Sequence, residues 1–470
     1  MKRFLYLLLC VCASLSLSAE VKYVFYFIGD GMGANQVLAA EMYRAELDSV
    51  IGRQKLNMTQ FPYSGQSATF SKSNGITDSA AAGTALATGS KTNNGTLGLD
   101  AEGDTLTSIA ERLKAQGWGV GLLTTVAIDH ATPAAFYAKV TKRDNYYEVG
   151  KQLAYTNFDL FCGAALHRPA PPEGTKGVYL YDLIEEQGYT IAQGLEEAKA
   201  KQADANKLIV VQPNEIADRR KKGFGNFPYM IDGRPEDLQL KSFTSFAIDY
   251  LQQRNERFFM MVEGGMIDYA GHGRDGAANI LETLDFDEAI GVALEFYKAH
   301  PDETLIVVTA DHETGGMALG NSNYTLNLQM LQYQHCSAWT LSDDIHALFK
   351  KGQKKPDWQT VRTILENRLD FYRAVTITPE DEKRLKDAFN KALKSQSKRS
   401  FKTMYKDLDV LCNVAIGTLN YKAKVGWTSY AHTASAVPVF AIGQGAEKFT
   451  GWMDNTDIAP RIMKAVNAQE

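Results

Sequence analysis

The chain has 470 residues, of which 45% are hydrophobic, so it can bury a large core and is not an intrinsically disordered protein. Its 50 basic and 55 acidic residues give a formal net charge of −5, and no basic run or patch of basic and aromatic residues stands out. We therefore expect no nucleic-acid partner.

The first residues, MKRFLYLLLCVCASLSLSAE, predict a cleavable signal for export. Two basic residues precede a short apolar run, and small residues end at Ala19. We expect residues 1–19 to be removed and the mature protein to be periplasmic or secreted, with lipid attachment at Cys10 or Cys12 as a less favoured alternative. We expect no transmembrane segment, because no stretch has the about 20 apolar residues that a spanning helix needs.

Apolar runs rich in β-branched and aromatic residues predict buried parallel strands. These runs are VKYVFYFIGDG, GVGLLTTVAIDH, KLIVVQ, FFMMVEGG, TLIVVTADHE and VPVFAIG. Amphipathic segments such as DTLTSIAERLKAQG lie between them. The order of strands and helices predicts an α/β fold with a doubly wound, mostly parallel central sheet and helices on both faces. Ligands of such sheets bind beyond the carboxyl ends of the strands.

From about residue 321 to 424 the strand pattern stops and helical segments follow. In TPEDEKRLKDAFNKALKS, Thr378 is an expected N-cap and Pro379 the expected first helical residue. The strand pattern returns at VPVFAIG. We interpret this span as a helical insertion that caps or flanks one α/β domain of residues 20–470.

Two motifs at predicted strand ends offer metal ligands. Asp30 lies in FIGDGMG, although a Gly/Asp turn after a strand is also a common loop. Asp268 and His272 lie four residues apart in VEGGMIDYAGHGRD and would share one face of a helix, a spacing that suits a zinc ion. The alternative for this pair is an N-cap aspartate with a solvated histidine.

Two later motifs add further candidates. Asp311 and His312 follow a strand in VVTADHETGG, and His432 precedes the last long strand. A surface Asp-His pair and a hydrogen-bonded histidine are the ordinary alternatives. Taken together, three Asp and three His supply ligands for two zinc ions, and Glu263 with Thr132 adds oxygen ligands for a harder third cation. Two zinc ions about 3.5 to 4 Å apart suit phosphoryl transfer.

The segment NGITDSAAAGTALATGSKTNNG predicts a nucleophile at the start of a helix of small residues. Backbone N–H groups and the helix dipole would draw a phosphate toward Ser79, and the small residues would let the helix press against the sheet. Considered alone, a cap on an alanine-rich core helix is the more ordinary explanation. Arg143 is the candidate phosphate clamp, because a guanidinium offers a planar fork to two oxygens. An arginine in KVTKRD is otherwise a surface charge.

In order along the chain, GDGMG, TDSAAAGTALATGSKTNNG, ATPAAFYAKVTKR, VEGGMIDYAGH, TADHETGG and a late HT resemble the motifs of the alkaline phosphatases. The resemblance runs from about Tyr23 to the C-terminal strand and covers the helical insertion poorly. It implies hydrolysis of a broad range of phosphate monoesters through a phosphoserine on Ser79, with Arg143 binding the phosphate. It also implies two zinc ions and one magnesium ion as cofactors.

The resemblance implies ligands for three cations. One zinc ion would be bound by Asp268, His272 and His432, and the second by Asp30, Asp311 and His312. Magnesium would be bound by Asp30, Thr132 and Glu263. Two candidate contacts beside these sites depart from the family pattern. His130 stands where some members have aspartate, which predicts weaker support for magnesium. Tyr269 stands where other members carry lysine or histidine, which predicts a lower phosphate affinity.

Other functions remain open to the same residues. A related metal-dependent phosphodiesterase or sulfatase on this sheet is the nearest alternative, although Arg143 favours a monoester. A non-catalytic phosphate- or metal-binding protein is a more distant one. We expect small phosphomonoesters as partners; the sequence leaves the oligomeric state open, with a homodimer as the candidate assembly.

Overall fold

The structure, a computed structural model, describes residues 20–213, 226–321, 323–349, 355–395 and 402–467. The predicted export signal of residues 1–19 lies outside the described residues. Within the described part of the chain, no helix has both the length and the apolar character needed to cross a membrane.

A large sheet forms the centre of the fold. The strands are β1 (Tyr23–Ile28), β2 (Tyr63–Ala68), β3 (Gly119–Ala127), β4 (Leu160–Ala164), β5 (Thr190–Gln193), β6 (Leu208–Val211), β7 (Phe258–Glu263), β8 (Thr304–Thr309), β9 (Glu313–Thr314), β10 (Met317–Leu319), β11 (Val425–Trp427), β12 (His432–Thr433), β13 (Val437–Gly443) and β14 (Gly451–Asp454). Ten of them form one sheet in the order β14-β2-β13-β8-β1-β7-β3-β4-β6-β5. Two small sheets pair β10 with β11 and β9 with β12.

Strand β1 lies between β7 and β8 and is parallel to both. Its side chains alternate between the two faces of the sheet. Phe25 and Phe27 join one apolar cluster, and Val24 and Tyr26 join the other. All four are fully buried, as expected for a strand whose two faces are both covered. The predicted doubly wound, mostly parallel sheet is confirmed.

The helices are α1 (Ala34–Leu47), α2 (Ser79–Thr88), α3 (Ile109–Ala115), α4 (Ala131–Ala134), α5 (Tyr146–Leu153), α6 (Leu180–Glu186), α7 (Leu195–Lys201), α8 (Leu240–Gln252), α9 (Met266–His272), α10 (Gly276–Ala299), α11 (Ala338–Ala347), α12 (Trp358–Leu369), α13 (Pro379–Ser395), α14 (Val410–Ala423) and α15 (Ile458–Val466). Helices α1, α8 and α10 pack on one face of the sheet, and α3, α5, α6 and α15 on the other.

The prediction that VPVFAIG is a parallel strand is wrong. This segment is β13, which is antiparallel to both β2 and β8. The cause is the short path that leads to it. His432 pairs with Thr314 just beyond the carboxyl end of β8, and β13 begins at Val437. Because so few residues separate His432 from Val437, β13 must begin beside the carboxyl end of β8 and run antiparallel to it.

The predicted helical insertion contains helices α11 to α14, which lie between β10 and β11. These two strands pair antiparallel, with Met317 opposite Trp427, so they join the two ends of the helical segment. The predicted cap is confirmed: Thr378 Oγ1 accepts a hydrogen bond from the Asp381 N–H at 3.2 Å, and the helix begins at Pro379.

Asp275 connects this helical segment to the rest of the fold. Its Oδ1 accepts a hydrogen bond from the Ala278 N–H at 3.1 Å, which caps α10, and a second from Gln334 Nε2 at 2.7 Å. Its Oδ2 accepts from the Ala338 N–H, the first of α11, at 2.6 Å. Burial raises the pKa of Asp275 to about 6. One buried carboxylate therefore satisfies the first turns of two helices.

We predict that Asp275→Ala destabilises the protein by about 2 to 5 kcal/mol, because it leaves three buried donors without an acceptor. Asp275→Asn keeps one acceptor oxygen and is expected to lose less. Urea unfolding of the three proteins measures the difference. A loss below about 0.5 kcal/mol in the alanine variant would contradict this role for Asp275.

Candidate active site

The strand-end residues singled out in the sequence meet at one edge of the sheet. Asp30 follows β1, Glu263 ends β7, and Asp311 and His312 follow β8. Strands β7 and β8 are the two neighbours of β1, so the carboxyl ends of all three strands lie side by side at one edge of the sheet. All four side chains are fully buried. The sheet topology therefore collects residues that are up to 282 positions apart in the chain.

Asp30, Asp311 and His312 form the first group of possible metal ligands, with ligand atoms within 4.8 Å of one another. His312 Nε2 lies 3.1 Å from Asp311 Oδ2 and 3.5 Å from Asp30 Oδ1. Neither carboxylate oxygen has a hydrogen-bond partner. Burial, together with nearby carboxylates, raises the pKa of Asp30 and of Asp311 well above the usual range. A cation would relieve this repulsion.

Asp268, His272 and His432 form the second group. The Nε2 atoms of the two histidines lie 3.1 Å apart, and Asp268 Oδ1 lies 3.4 Å from that of His272 and 3.6 Å from that of His432. Burial alone would raise the pKa of Asp268, but the nearby histidines outweigh it and hold this pKa well below its usual range.

The far nitrogens of both histidines face backbone carbonyls. His272 Nδ1 lies 2.6 Å from the Tyr430 oxygen, and His432 Nδ1 lies 2.8 Å from the Thr77 oxygen. Each Nδ1 therefore carries the proton and donates it, which leaves the Nε2 lone pairs directed toward each other and toward Asp268. Metal-binding histidines are oriented in this manner in other proteins.

Asp30, His130 and Glu263 form the third group. Thr132 Oγ1 donates to Asp30 Oδ2 at 3.3 Å, and Thr124 Oγ1 donates to Glu263 Oε2 at 2.5 Å. Burial raises the pKa of Glu263 to about 7. The second oxygen of Glu263 and Nδ1 of His130 are buried without a partner. Thr132 thus lies beside Asp30, and the His130 ring enters the same group.

Ser79 is the first residue of α2, and its Oγ lies 3.2 Å from His312 Nε2. The preceding residue, Asp78, caps the helix: its Oδ1 accepts from the Ala81 N–H and from the Gly95 N–H, each at 3.0 Å. Ser79 is fully buried. The hydroxyl therefore lies against the first ligand group and is fixed there by the cap of its helix.

The small residues of α2 were expected to press against the sheet, but at Gly83 the close neighbour is helix α4. A Cβ added to Gly83 would lie 3.0 Å from Ala135 Cβ and 3.4 Å from Thr132 Cα. Contact with the sheet comes through Tyr26 of β1, whose hydroxyl donates to the Leu86 carbonyl at 3.4 Å. The small side chains of α2 thus let this helix approach the segment that carries Thr132.

Arg143 is buried, with only 7% of its surface exposed, and does not behave as a surface charge. Its Nη1 donates to Asp78 Oδ2 at 3.2 Å, and its Nη2 donates to His130 Nε2 at 3.1 Å. Burial and the positive charge of Arg143 lower the pKa of His130 well below its usual range. His130 is therefore neutral and can accept this hydrogen bond.

Three residues that sequence reasoning missed contact these groups. Thr124 and Thr314 supply hydroxyls, the latter donating to Asp268 Oδ1. Tyr405 donates to Asp268 Oδ2 at 2.8 Å and stacks on Tyr269, whose ring lies 5.8 Å from that of His130. Thr314 lies inside a recognised motif and could have been found. Tyr405 lies 137 residues from Asp268 and has no local signal.

A sequence profile for the family described as "Alkaline phosphatase" matches residues 21–158 and 223–468. Alkaline phosphatase 4 of Bacillus subtilis (strain 168) is 32% identical over 462 residues, which cover 95% of this chain and 89% of that protein. The tissue-nonspecific isozyme of alkaline phosphatase from Homo sapiens is 30% identical over 333 residues, covering 62% of this chain and 63% of that protein.

Solved structures agree with these sequence matches. A cold-active alkaline phosphatase from a psychrophilic Shewanella species has a TM-score of 0.77 at 27% identity and covers 94% of this chain and 99% of that chain. Thermus thermophilus alkaline phosphatase has a TM-score of 0.75 at 25% identity, and the match covers 97% of this chain and 93% of that chain. This chain therefore belongs to the alkaline phosphatase family and is a phosphoric monoester hydrolase.

Proposed function

We propose that this protein hydrolyses a broad range of phosphate monoesters through a phosphoserine formed on Ser79, with two zinc ions and one magnesium ion as cofactors. The observation that carries the proposal is the position of the hydroxyl. Ser79 Oγ lies 3.2 Å from His312 Nε2, and this same nitrogen lies 3.1 Å from Asp311 Oδ2. The candidate nucleophile thus adjoins a candidate zinc ligand group.

The residues of the three groups fit these cations. The first two groups combine imidazole nitrogens with carboxylate oxygens, a mixture that favours zinc. The third group offers oxygens from Asp30, Thr132 and Glu263, which suit magnesium. His130 accepts a hydrogen bond at Nε2 and therefore carries its proton on Nδ1, so it offers no lone pair to this group, and we propose the third cation as the most weakly bound. Unpartnered buried oxygens of Asp30, Asp311 and Glu263 support the first and third sites.

The proposed reaction has two displacements at phosphorus. Ser79 Oγ gives its proton to solvent and attacks the phosphorus of the monoester, the bond to the leaving oxygen breaks, and that oxygen takes a proton from solvent. Water then attacks the phosphoserine, which releases inorganic phosphate and restores the hydroxyl. When bound, the zinc ions would supply the charge that lowers the pKa of the serine hydroxyl and of water and that stabilises the leaving oxygen.

Two features of the chain would hold the phosphoryl group. Ser79 opens α2, so the first N–H groups and the positive end of the helix dipole face the reacting phosphate. Arg143 offers two donors to its oxygens. Asp78 and His130 contact different nitrogens of that guanidinium and so restrict its rotation. These contacts address the phosphate alone, which supports small phosphomonoesters of many kinds as substrates.

Export and assembly are further parts of this proposal. The N-terminal pattern of basic, apolar and small residues supports export to the periplasm or beyond the cell. We propose a homodimer as the assembly to test first, by light scattering of the purified mature chain.

We predict that Ser79→Ala lowers the turnover of 4-nitrophenyl phosphate by at least about 1,000-fold, because no other hydroxyl replaces the nucleophile. Zinc content is expected to stay at two ions per chain, since Ser79 is not among the proposed ligands. Metal analysis and steady-state kinetics measure both quantities. Ser64→Ala, at an exposed position of β2, is the matched control and should change neither. Equal turnover by the Ser79 variant would reject the nucleophile.

We predict that Arg143→Lys lowers kcat/KM for a monoester about 10- to 100-fold, because lysine keeps the charge and loses the paired donors. Rates on 4-nitrophenyl phosphate and on bis(4-nitrophenyl) phosphate should be measured side by side. Diester hydrolysis is expected to be slower in the wild type and to depend less on Arg143, since a diester has fewer free oxygens. The exposed Arg112→Lys is the control. A wild type that prefers the diester would favour the phosphodiesterase alternative.

A further inference from the structure

Tyr405 is the residue through which the segment between α13 and α14 reaches the ligand groups. Its hydroxyl donates to Asp268 Oδ2 at 2.8 Å, and its ring stacks on Tyr269 with a centroid distance of 3.7 Å. The same ring lies edge-on to His272 at 5.3 Å and 6.0 Å from the ring of His130. Tyr405 therefore contacts one ligand of the second group directly and a second ligand through its ring.

The two oxygens of Asp268 have different partners. Oδ1 faces the Nε2 atoms of His272 and His432 and accepts a hydrogen bond from the Thr314 hydroxyl. Oδ2 accepts the hydrogen bond of Tyr405. With one donor on each oxygen, the carboxylate cannot rotate without losing a buried hydrogen bond. This orientation keeps Oδ1 directed at the point where the two histidines converge.

Tyr405 is itself held in place by its neighbours in the chain. Thr403 Oγ1 donates to the Lys406 carbonyl at 2.6 Å and accepts from the Lys406 N–H at 3.3 Å, which closes a tight turn around Tyr405. Lys406 Nζ then pairs with Asp343 Oδ2 of α11 at 2.7 Å and lies 5.3 Å from the ring of Trp339. The turn is thus fastened to helix α11.

Helix α11 also contacts the segment that carries the ligand Asp268. The ring of Trp339 lies 5.7 Å from that of Tyr269, which directly follows Asp268 in the chain. Tyr269 in turn stacks on Tyr405. The turn, the helix and the Asp268 segment therefore form a closed set of contacts, and a shift of the turn would disturb the hydrogen bond to Asp268.

We propose that Tyr405 is a positioning residue for the group of Asp268, His272 and His432. It fixes the Asp268 carboxylate so that Oδ1 serves as the zinc ligand, and it thereby couples the docking of the helical segment to zinc binding. The inference rests on the proposed function, because it takes zinc as the cation of this group. It gives a role to a part of the chain whose function the sequence left open.

The test compares zinc binding in Tyr405→Phe and in the wild type, with a chromophoric chelator competing for Zn²⁺. Phenylalanine keeps the ring on Tyr269 and removes the hydroxyl. We expect one of the two zinc ions to bind about 10- to 100-fold more weakly, the usual effect of losing a hydrogen bond to a metal ligand. We expect the Tm of the metal-free protein to fall by no more than in the Tyr250→Phe control and the rise in Tm on adding zinc to be smaller.

Tyr250→Phe is the matched control, because the buried Tyr250 hydroxyl also donates at 2.8 Å, to the Ala205 carbonyl, and neither residue belongs to the three ligand groups. It should lower Tm equally with and without zinc and leave zinc affinity unchanged. Unchanged zinc affinity in Tyr405→Phe would overturn the inference and leave the proposed function intact, and a fall in metal-free Tm alone would make Tyr405 merely structural. A wild type that binds no zinc would overturn both.

Discussion

The constraint on which this site depends is the burial of several acidic groups at one edge of the sheet. Four carboxylates are fully buried there: Asp30, Glu263, Asp268 and Asp311. Removing an isolated carboxylate from water costs several kcal/mol, and like charges nearby add to that cost. Only Asp268 has enough histidine around it to keep its pKa low. The pKa values of the other three are raised. The edge is thus arranged for cations, whose charge would let all four ionise together.

Hydroxyl groups complete this arrangement and link the ligand groups. Thr314 Oγ1 lies 3.2 Å from His312 Nδ1 and donates to Asp268 Oδ1. His312 can therefore donate its Nδ1 proton to Thr314, which leaves Nε2 free to face Asp30 and Asp311. One threonine thus fixes a histidine of the first group and the aspartate of the second. The rings of His312 and His432 stack at 3.5 Å, so the two groups are immediate neighbours.

Much of this fold follows from local pattern and one topological rule. The buried runs with charged ends predict strands, and parallel strands bring their carboxyl ends to one edge, so Asp30 and Asp311 can be paired from sequence. The direction of β13 could not be predicted, because an apolar run does not indicate in which direction its strand crosses the sheet. The pairing of His432 with Thr314 sets this direction. Tyr405 could not be predicted either, because its contact depends on how α11 and the turn at Lys406 pack together.

Asp78 shows how a residue that sequence reasoning treats as a simple cap can organise chemistry. Its Oδ1 accepts from the Ala81 N–H, which sets the start of α2 and so the position of Ser79. Its Oδ2 accepts from Arg143. One carboxylate thus fixes both the candidate nucleophile and the candidate clamp, and Arg143 reaches onward to His130 in the third group. A shift of the helix start would therefore strain the contact between Asp78 and Arg143, so the positions of the serine and the arginine depend on each other.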